Sequence, residues 1–401
     1  MPSRSAEIAI IGAGPAGAHL ASRLAAERRD VILFDPKGAW EKPCGGGVPT
    51  RAIREFAFIL ESSQYPRKLV RQITMISPLE RRVTLTLDRP FAVYSRQVLN
   101  GLVLDRAIEA GAQFVREGVA DFSRDSDGWT ITTDAGNQWR ARFLVGADGA
   151  ASFTRRRLIG IFPKRDLALA FGYNITAEES DASNGGAQRT EPSMDEVVVR
   201  FPREFTGYLW AFPRPGVMNF GVASKLGERT SDELRTLLSD FVGSHYGGRM
   251  PDSSRVSFFG AKIPTLDHDS WRDLQTSGDG WVLIGDAAGF ADPITGEGIY
   301  YAFKSADLFA DALRDSSTYA PAVASYETMW RDAFGRDLEH ASYRLPHFYH
   351  GRFFGRIFTD AMIMLARRHR GVRTILGRAL VGEQSYVTLK RDLLRRAWQV
   401  F

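Results

Sequence analysis

The spacing of apolar positions changes twice before Asp35. Glu7 to Ile11, EIAII, is a short, mostly apolar run that predicts a buried strand. Leu20, Leu24 and Ala25 then recur at helical spacing, and Val31 to Phe34, VILF, predicts a second strand. Between the first strand and the helix stand Gly12-Ala13-Gly14-Pro15-Ala16-Gly17, and Asp35 lies 23 positions after Gly12. Strand, glycine turn, helix and strand in this order make a dinucleotide fingerprint. Gly12 permits the tight turn, Gly14 lets a pyrophosphate approach the backbone, and Gly17 lets the helix pack on the strand. Pro15 and Ala16 fall in the first helical turn, whose free N–H groups face a diphosphate, and Asp35 can accept hydrogen bonds from a ribose.

Further along, the breakers in PKGAWEKPCGGGVPT predict a loop without helix or strand, in which Gly45, Gly46 and Gly47 either give flexibility or let a flat ligand lie on bare backbone. Gln72 to Ser77, Arg82 to Leu87, Gln113 to Val115, Trp129 to Thr133 and Arg142 to Val145 read as strands, and Gln97 to Ala110 as a helix. Ala168 to Lys262 looks β-rich, with a turn at Pro215-Gly216 and a polar, glycine-containing stretch from Ser180 to Pro192. Trp281 to Ile284 is another strand, and helices dominate after it. The fold class expected is α/β: a Rossmann-like nucleotide domain (1–75, 95–165 and 275–335), an inserted antiparallel β-sheet substrate domain (76–94 and 166–274), and a helical, basic C-terminal region (336–401).

Composition narrows the class further. With 401 residues, 44 % hydrophobic and 25 % charged, the chain is long enough for two or three packed domains and is neither disordered nor fibrous. A single cysteine excludes an intrachain disulfide and suits a reducing cytoplasm. No stretch is apolar enough to predict a transmembrane helix, and the glycine-broken N-terminus reads as fold, not signal peptide. The net charge of +5 is uneven: residues 345–401 hold eleven Arg and Lys against three acids, leaving −3 elsewhere. Basic charge interleaved with Phe353, Phe354, Ile357, Phe358, Met362, Met364 and Leu365 suits peripheral contact with an anionic or membrane surface, or the solvated faces of ordinary helices. No nucleic-acid motif accompanies it. His347 and His350 stand at i, i+3 without an obvious third ligand, so no metal site is expected.

Four elements recur at separated positions: the Gly12 turn with Asp35; Arg96; Gly146-Ala147-Asp148-Gly149; and Gly285-Asp286-Ala287-Ala288-Gly289 with Asp292-Pro293-Ile294-Thr295-Gly296-Glu297-Gly298. Together they resemble the FAD-binding fold of the para-hydroxybenzoate hydroxylase superfamily. The resemblance implies that Gly285 and Asp286 hold the ribityl and pyrophosphate region of FAD and that Arg96, Asp148 and Gly149 join the cofactor site. Gly296 and Gly298 stand where a helix from Ile299 to Leu313 is expected to begin, so its N–H groups and positive end can face flavin N1 and the C2 carbonyl. The alternative is a glycine-rich helix entry with Asp286 as a cap.

Pro43-Cys44-Gly45-Gly46-Gly47-Val48, and Tyr208-Leu209-Trp210-Ala211-Phe212-Pro213 followed by Gly221-Val222-Ala223, are similar to the geranylgeranyl reductase family. That resemblance implies that Tyr208, Trp210 and Phe212 line an isoprenoid cavity and that Cys44, the one catalytic candidate, lies near the flavin. Ala223 stands where a second Gly is common, which bears on the tightness of a turn expected there. The three aromatics alternate at period two and so share one strand face, a suitable wall for a polyprenyl tail and equally the pattern of any half-buried strand. The expected activity is FAD-dependent reduction of carbon–carbon double bonds in a prenyl or other apolar small molecule. The rivals are an FAD monooxygenase, a flavin halogenase and a flavin-bearing lipid-binding or electron-transfer protein. With one dinucleotide fingerprint, the external electron donor, NADPH or a ferredoxin-like carrier, is left open.

Overall fold

The computed structural model describes residues 4–178, 192–353 and 355–398. The stretch read as polar from Ser180 therefore lies outside the described residues up to Glu191, as do Phe354 and the side chain of Arg396. The chain divides into two compact units. One comprises Met1–Lys42, Arg96–Asp166 and Ile263–Glu339; the other comprises Pro43–Ser95, Leu167–Lys262 and His340–Phe401.

The first unit is built on a parallel sheet. Ser5–Ile11 pairs in parallel with Val31–Phe34 on one side and Gln138–Gly146 on the other, with Ile8 opposite both Val31 and Phe143. Gln113–Val115 extends the sheet in parallel at one edge; on the other side Trp281–Leu283 also joins in parallel and is itself flanked by the antiparallel Ser277–Gly278. Ile8, Ala9 and Ile10 are fully buried, as a central strand covered on both faces demands. Helix Pro15–Ala26 packs against helices Arg96–Glu109 and Ile299–Arg314. His19 Nε2 lies 2.9 Å from an Asp307 carboxylate oxygen, and Arg23 pairs with Asp307 and Asp311, tying the first helix to the last of these. One strand, Val119–Asp125, was not expected. Only Phe122 of it is buried, so it offers no apolar period, and it forms by pairing across a turn with Gly128–Thr133.

The second unit holds an eight-stranded sheet in the order Val256–Pro264, Leu167–Thr176, Val217–Lys225, Gly207–Arg214, Glu196–Arg200, Arg67–Ile76, Arg82–Tyr94 and Gly47–Val48. The expectation of an antiparallel sheet needs one correction: Glu196–Arg200 runs parallel to Arg67–Ile76, because here strands from two separate stretches of chain meet. The 36–50 segment is also not wholly loop. Gly47 and Val48 pair with Val93 and Ala92, and a short helix opens at Thr50, so pairing overrides the local breakers. Helix Ser231–His245 interrupts the β-rich region. It starts at a capping box of Thr230 and Glu233 and covers one sheet face with Leu234, Leu238, Phe241 and Val242, packed on Leu209, Ala211, Phe220 and Val222. Helices Phe358–Arg368 and Arg370–Leu380 lie against Arg82–Tyr94, anchored by the fully buried Asp360, which accepts from Ser77 Oγ at 2.7 Å and from Arg81. Among the described residues, no helix is long and apolar enough to cross a membrane.

Candidate functional site

In the first unit, the three glycines of the N-terminal turn serve three different purposes. Gly12 has φ +103°, and a Cβ there would stand 2.5 Å from the Ala147 carbonyl oxygen. At Gly17 a Cβ would stand 1.9 Å from the Gly12 carbonyl oxygen, a distance only glycine avoids. At Gly14 a Cβ would meet nothing within 4 Å, so open space lies beside this residue. Gly14 is also the N-cap of helix Pro15–Ala26; no side chain caps that end, Pro15 occupies its first position, and its first turn holds no acid. A positive helix end of this kind, beside open space, favours an anion such as a pyrophosphate. Asp35 is partly committed to holding the turn: Oδ2 accepts the Ala13 N–H at 2.9 Å, and Oδ1 accepts the N–H groups of Lys37 and Gly38 at 2.8 and 2.9 Å.

Two of the remaining motifs of this unit, at Ala147-Asp148 and at Gly285, meet the same turn. A Cβ on Gly285, whose φ is +58°, would stand 2.9 Å from the Ala16 side chain, and the Gly285 N–H donates to Ser305 Oγ at 3.0 Å. Asp286 is not a cap; its Oδ2 lies 3.3 Å from Lys42 Nζ, and a Cβ on Gly149, at φ +83°, would stand 3.5 Å from that same nitrogen. Lys42 thus joins Asp286 and Gly149, a role that no motif in the sequence signalled. Arg96 is 4 % exposed; it gives one hydrogen bond to Asn100 at 3.2 Å, while its Nε is buried with no partner among the described residues. Buried polar groups are nearly always satisfied, so this nitrogen points to a group beyond the chain.

Asp148 and the Gly296–Ile299 segment each carry hydrogen bonds within the chain. The Asp148 carboxylate accepts from Ser152 Oγ, from the Thr154 N–H at 2.9 Å and from Thr154 Oγ1 at 3.1 Å, so it fixes the start of helix Phe153–Leu158. Burial pushes its pKa up against these bonds. Helix Ile299–Arg314 does begin after Gly298, and Gly296 has φ +68°. Its positive end is already partly answered, because Glu297 Oε1 accepts the Tyr300 N–H at 2.7 Å. Arg155, also unforeseen, stacks over Phe162 at 3.9 Å and donates to the Ala287 carbonyl at 3.4 Å.

In the second unit, the glycine loop lies on the aromatic strand. A Cβ on Gly45 would stand 2.9 Å from the Phe212 ring and 3.2 Å from Trp210 Nε1; one on Gly47 would stand 2.5 Å from Phe91. Gly46 has φ +79°, and its Cβ would stand 1.9 Å from the Tyr94 carbonyl oxygen. These faces of the loop are therefore filled by the protein's own rings. The half-buried Cys44 accepts the Gly46 N–H at its Sγ, 3.3 Å away. Buried Arg214 donates to the Cys44 carbonyl at 2.5 Å and to the Gly45 carbonyl at 3.4 Å. Val48 is fully buried in the short strand that follows.

Tyr208, Trp210 and Phe212 form a row, with ring centroids 5.9 and 6.3 Å apart. Across the ladder stand Ala223, Gly221 and Asn219. A Cβ on Gly221 would stand 2.0 Å from the Trp210 ring, and Trp210 Nε1 donates to Asn219 Oδ1 at 2.7 Å. Gly221-Val222-Ala223 is thus no turn; it is the middle of strand Val217–Lys225, where small side chains make room for the large rings opposite. His350 Nε2 lies 2.7 Å from Thr206 Oγ1, and the His347 ring packs on Phe358.

The chain's own features fit FAD: open space at Gly14, an uncapped helix end, and the orphaned Arg96 Nε. Residues 5–314 match the family model described as an FAD binding domain. The chain is 31 % identical to geranylgeranyl diphosphate reductase of Rhodobacter capsulatus over 76 % of its own length and 73 % of the relative's. It is 22 % identical to digeranylgeranylglycerophospholipid reductase of Methanocaldococcus jannaschii, over 97 % and 95 % of the two chains. Among solved structures, a geranylgeranyl bacteriochlorophyll reductase-like protein from Thermoplasma acidophilum superposes with a TM-score of 0.75 at 19 % identity, covering 98 % of this chain and 99 % of that one. The chain accordingly belongs to the FAD-binding-domain family and, within it, to the geranylgeranyl reductase family of FAD-dependent oxidoreductases.

Proposed function

We propose that this chain saturates carbon–carbon double bonds of a prenyl, geranylgeranyl-type chain. The observation that carries the reading is the row Tyr208, Trp210 and Phe212 set over the small residues Gly221 and Ala223; Trp210 is buried under the glycine loop, while Tyr208 and Phe212 stay partly exposed and suit contact with a branched, unsaturated hydrocarbon. The names of the relatives above point to the same substrate class. FAD, when bound and reduced, supplies a hydride equivalent. The chain's residues supply placement. Gly12, Gly14, Gly17 and the first turn of helix Pro15–Ala26 hold the diphosphate, Asp35 the ribose edge, and Arg96, Gly285 and Asp286 the remainder of the cofactor. The aromatic row holds the alkene and excludes water. An isolated alkene has no carbonyl to polarise it, so positioning carries most of the catalytic burden.

The test is anaerobic. Photoreduced holoenzyme mixed with a geranylgeranyl lipid is expected to reoxidise without oxygen and to yield product heavier by two hydrogens per bond in mass spectrometry. Reoxidation that needs oxygen, with an oxygen atom gained by the product, replaces the reductase reading with the monooxygenase one.

A further inference from the structure

Outside the sites described, the strongest feature of the second unit is a surface groove of about 720 Å3 in the C-terminal region, lined by His340 and Arg344 of one helix and by Val387, Lys390, Arg391, Leu394 and Arg395 of another. The five residues of the last helix stand at i, i+3, i+4, i+7 and i+8, a single helical stripe. Four of the lining side chains are permanent cations. Asp392 lies 3.4 Å from Arg391 Nε and also accepts from Gln384 Nε2 at 2.9 Å. Between the cations, Val387 and Leu394 are 55 % and 50 % exposed.

We infer that this stripe docks the protein on an anionic lipid surface. Both halves of the pattern are needed. Arg344, Lys390, Arg391 and Arg395 attract phosphate headgroups, and Val387 and Leu394 enter the boundary between headgroups and acyl chains while the long basic side chains reach back to the phosphates. A soluble polyanion would use the charge and leave two exposed aliphatic side chains without a purpose. The inference rests on charge and exposure alone, so it stands or falls apart from the proposed chemistry.

FAD-loaded, full-length protein is sedimented with phosphatidylcholine vesicles with or without phosphatidylglycerol. Binding is expected only with the anionic lipid, and it weakens in 1 M salt, where the screening length is about 3 Å. Lys390→Glu with Arg395→Glu, both exposed positions, is expected to weaken binding by at least about tenfold. Leu394→Ser lowers it severalfold and steepens the salt dependence. Unchanged flavin absorbance and thermal unfolding show that the variants fold; should the double variant not fold, Leu394→Ser and the lipid comparison still decide. Equal binding to neutral and anionic vesicles overturns the inference, and so does undiminished binding by the folded double variant. Heparin bound as tightly as vesicles, with Leu394→Ser silent, would make the groove a polyanion site and overturn it equally. No arm depends on turnover.

Discussion

Two glycine-rich segments of this chain look alike in sequence and differ in what they leave empty. At Gly12–Gly17 the outer glycines are held by backbone contact, and the middle one, Gly14, opens on space. At Gly45–Gly47 each Cβ position is occupied, by Phe212 and Trp210, by the Tyr94 carbonyl and by Phe91. The first segment leaves open space beside its backbone; the second lets a loop lie flat on an aromatic sheet. Glycine density does not distinguish the two, whereas the object that a Cβ would strike does.

Four glycine substitutions test that contrast, in falling order of effect. Gly17→Ala and Gly46→Ala both drive a Cβ to 1.9 Å from a carbonyl oxygen, the second at a positive φ as well. Each is expected to cost about 3 kcal/mol or more in denaturant unfolding, or to prevent folding; a loss under about 1 kcal/mol at either site would show that the backbone yields there.

Gly14→Ala and Gly45→Ala should separate the segments. Apoprotein carrying Gly14→Ala is expected to stay within about 1 kcal/mol of the parent while binding FAD at least about tenfold more weakly, a loss of about 1.4 kcal/mol read by flavin fluorescence. Gly45→Ala should instead cost about 1–2 kcal/mol of stability. Most of that should return when Phe212→Ala is added, because the struck ring is gone. An additive double-mutant cycle would detach the loop from the ring.

The smallest effect concerns helix Pro15–Ala26, which begins at the Gly14 turn. Burial pushes the Asp307 pKa up, but the bond from His19 and the charges of His19 and Arg23 outweigh it and hold the group below its ordinary value. A lowered native pKa contributes stability above the unfolded value and loses it as pH falls through the native one. Asp307→Asn is therefore expected to cost about 1 kcal/mol at pH 7, with parent and variant converging below about pH 4. A gap independent of pH would assign the cost to packing.

Part of the parallel sheet was legible: Val31–Phe34 is continuously apolar, and both it and Gln113–Val115 have the boundaries that the pattern predicts. Helix Ser231–His245 was also readable, from the Thr230…Glu233 box and the spacing of Leu234, Leu238 and Phe241, yet the surrounding β pattern masked it. The aromatic row followed from period two alone. What could not be read was pairing at a distance. That Gly221 exists to admit Trp210, that Asp148 turns to Ser152 and Thr154, and that Lys42 meets Asp286 all depend on which strand or loop lies opposite.

The parallel sheet has a consequence for how the protein is made. Its strand Gln138–Gly146 bridges Ser5–Ile11 and Trp281–Leu283, which is synthesised long after Ser5–Ile11 and after much of a second unit. At roughly 5–20 residues per second, the ribosome works for tens of seconds between these two strands. During that interval Gln138–Gly146 has Ser5–Ile11 beside it but not yet Trp281–Leu283, so the parallel sheet closes late.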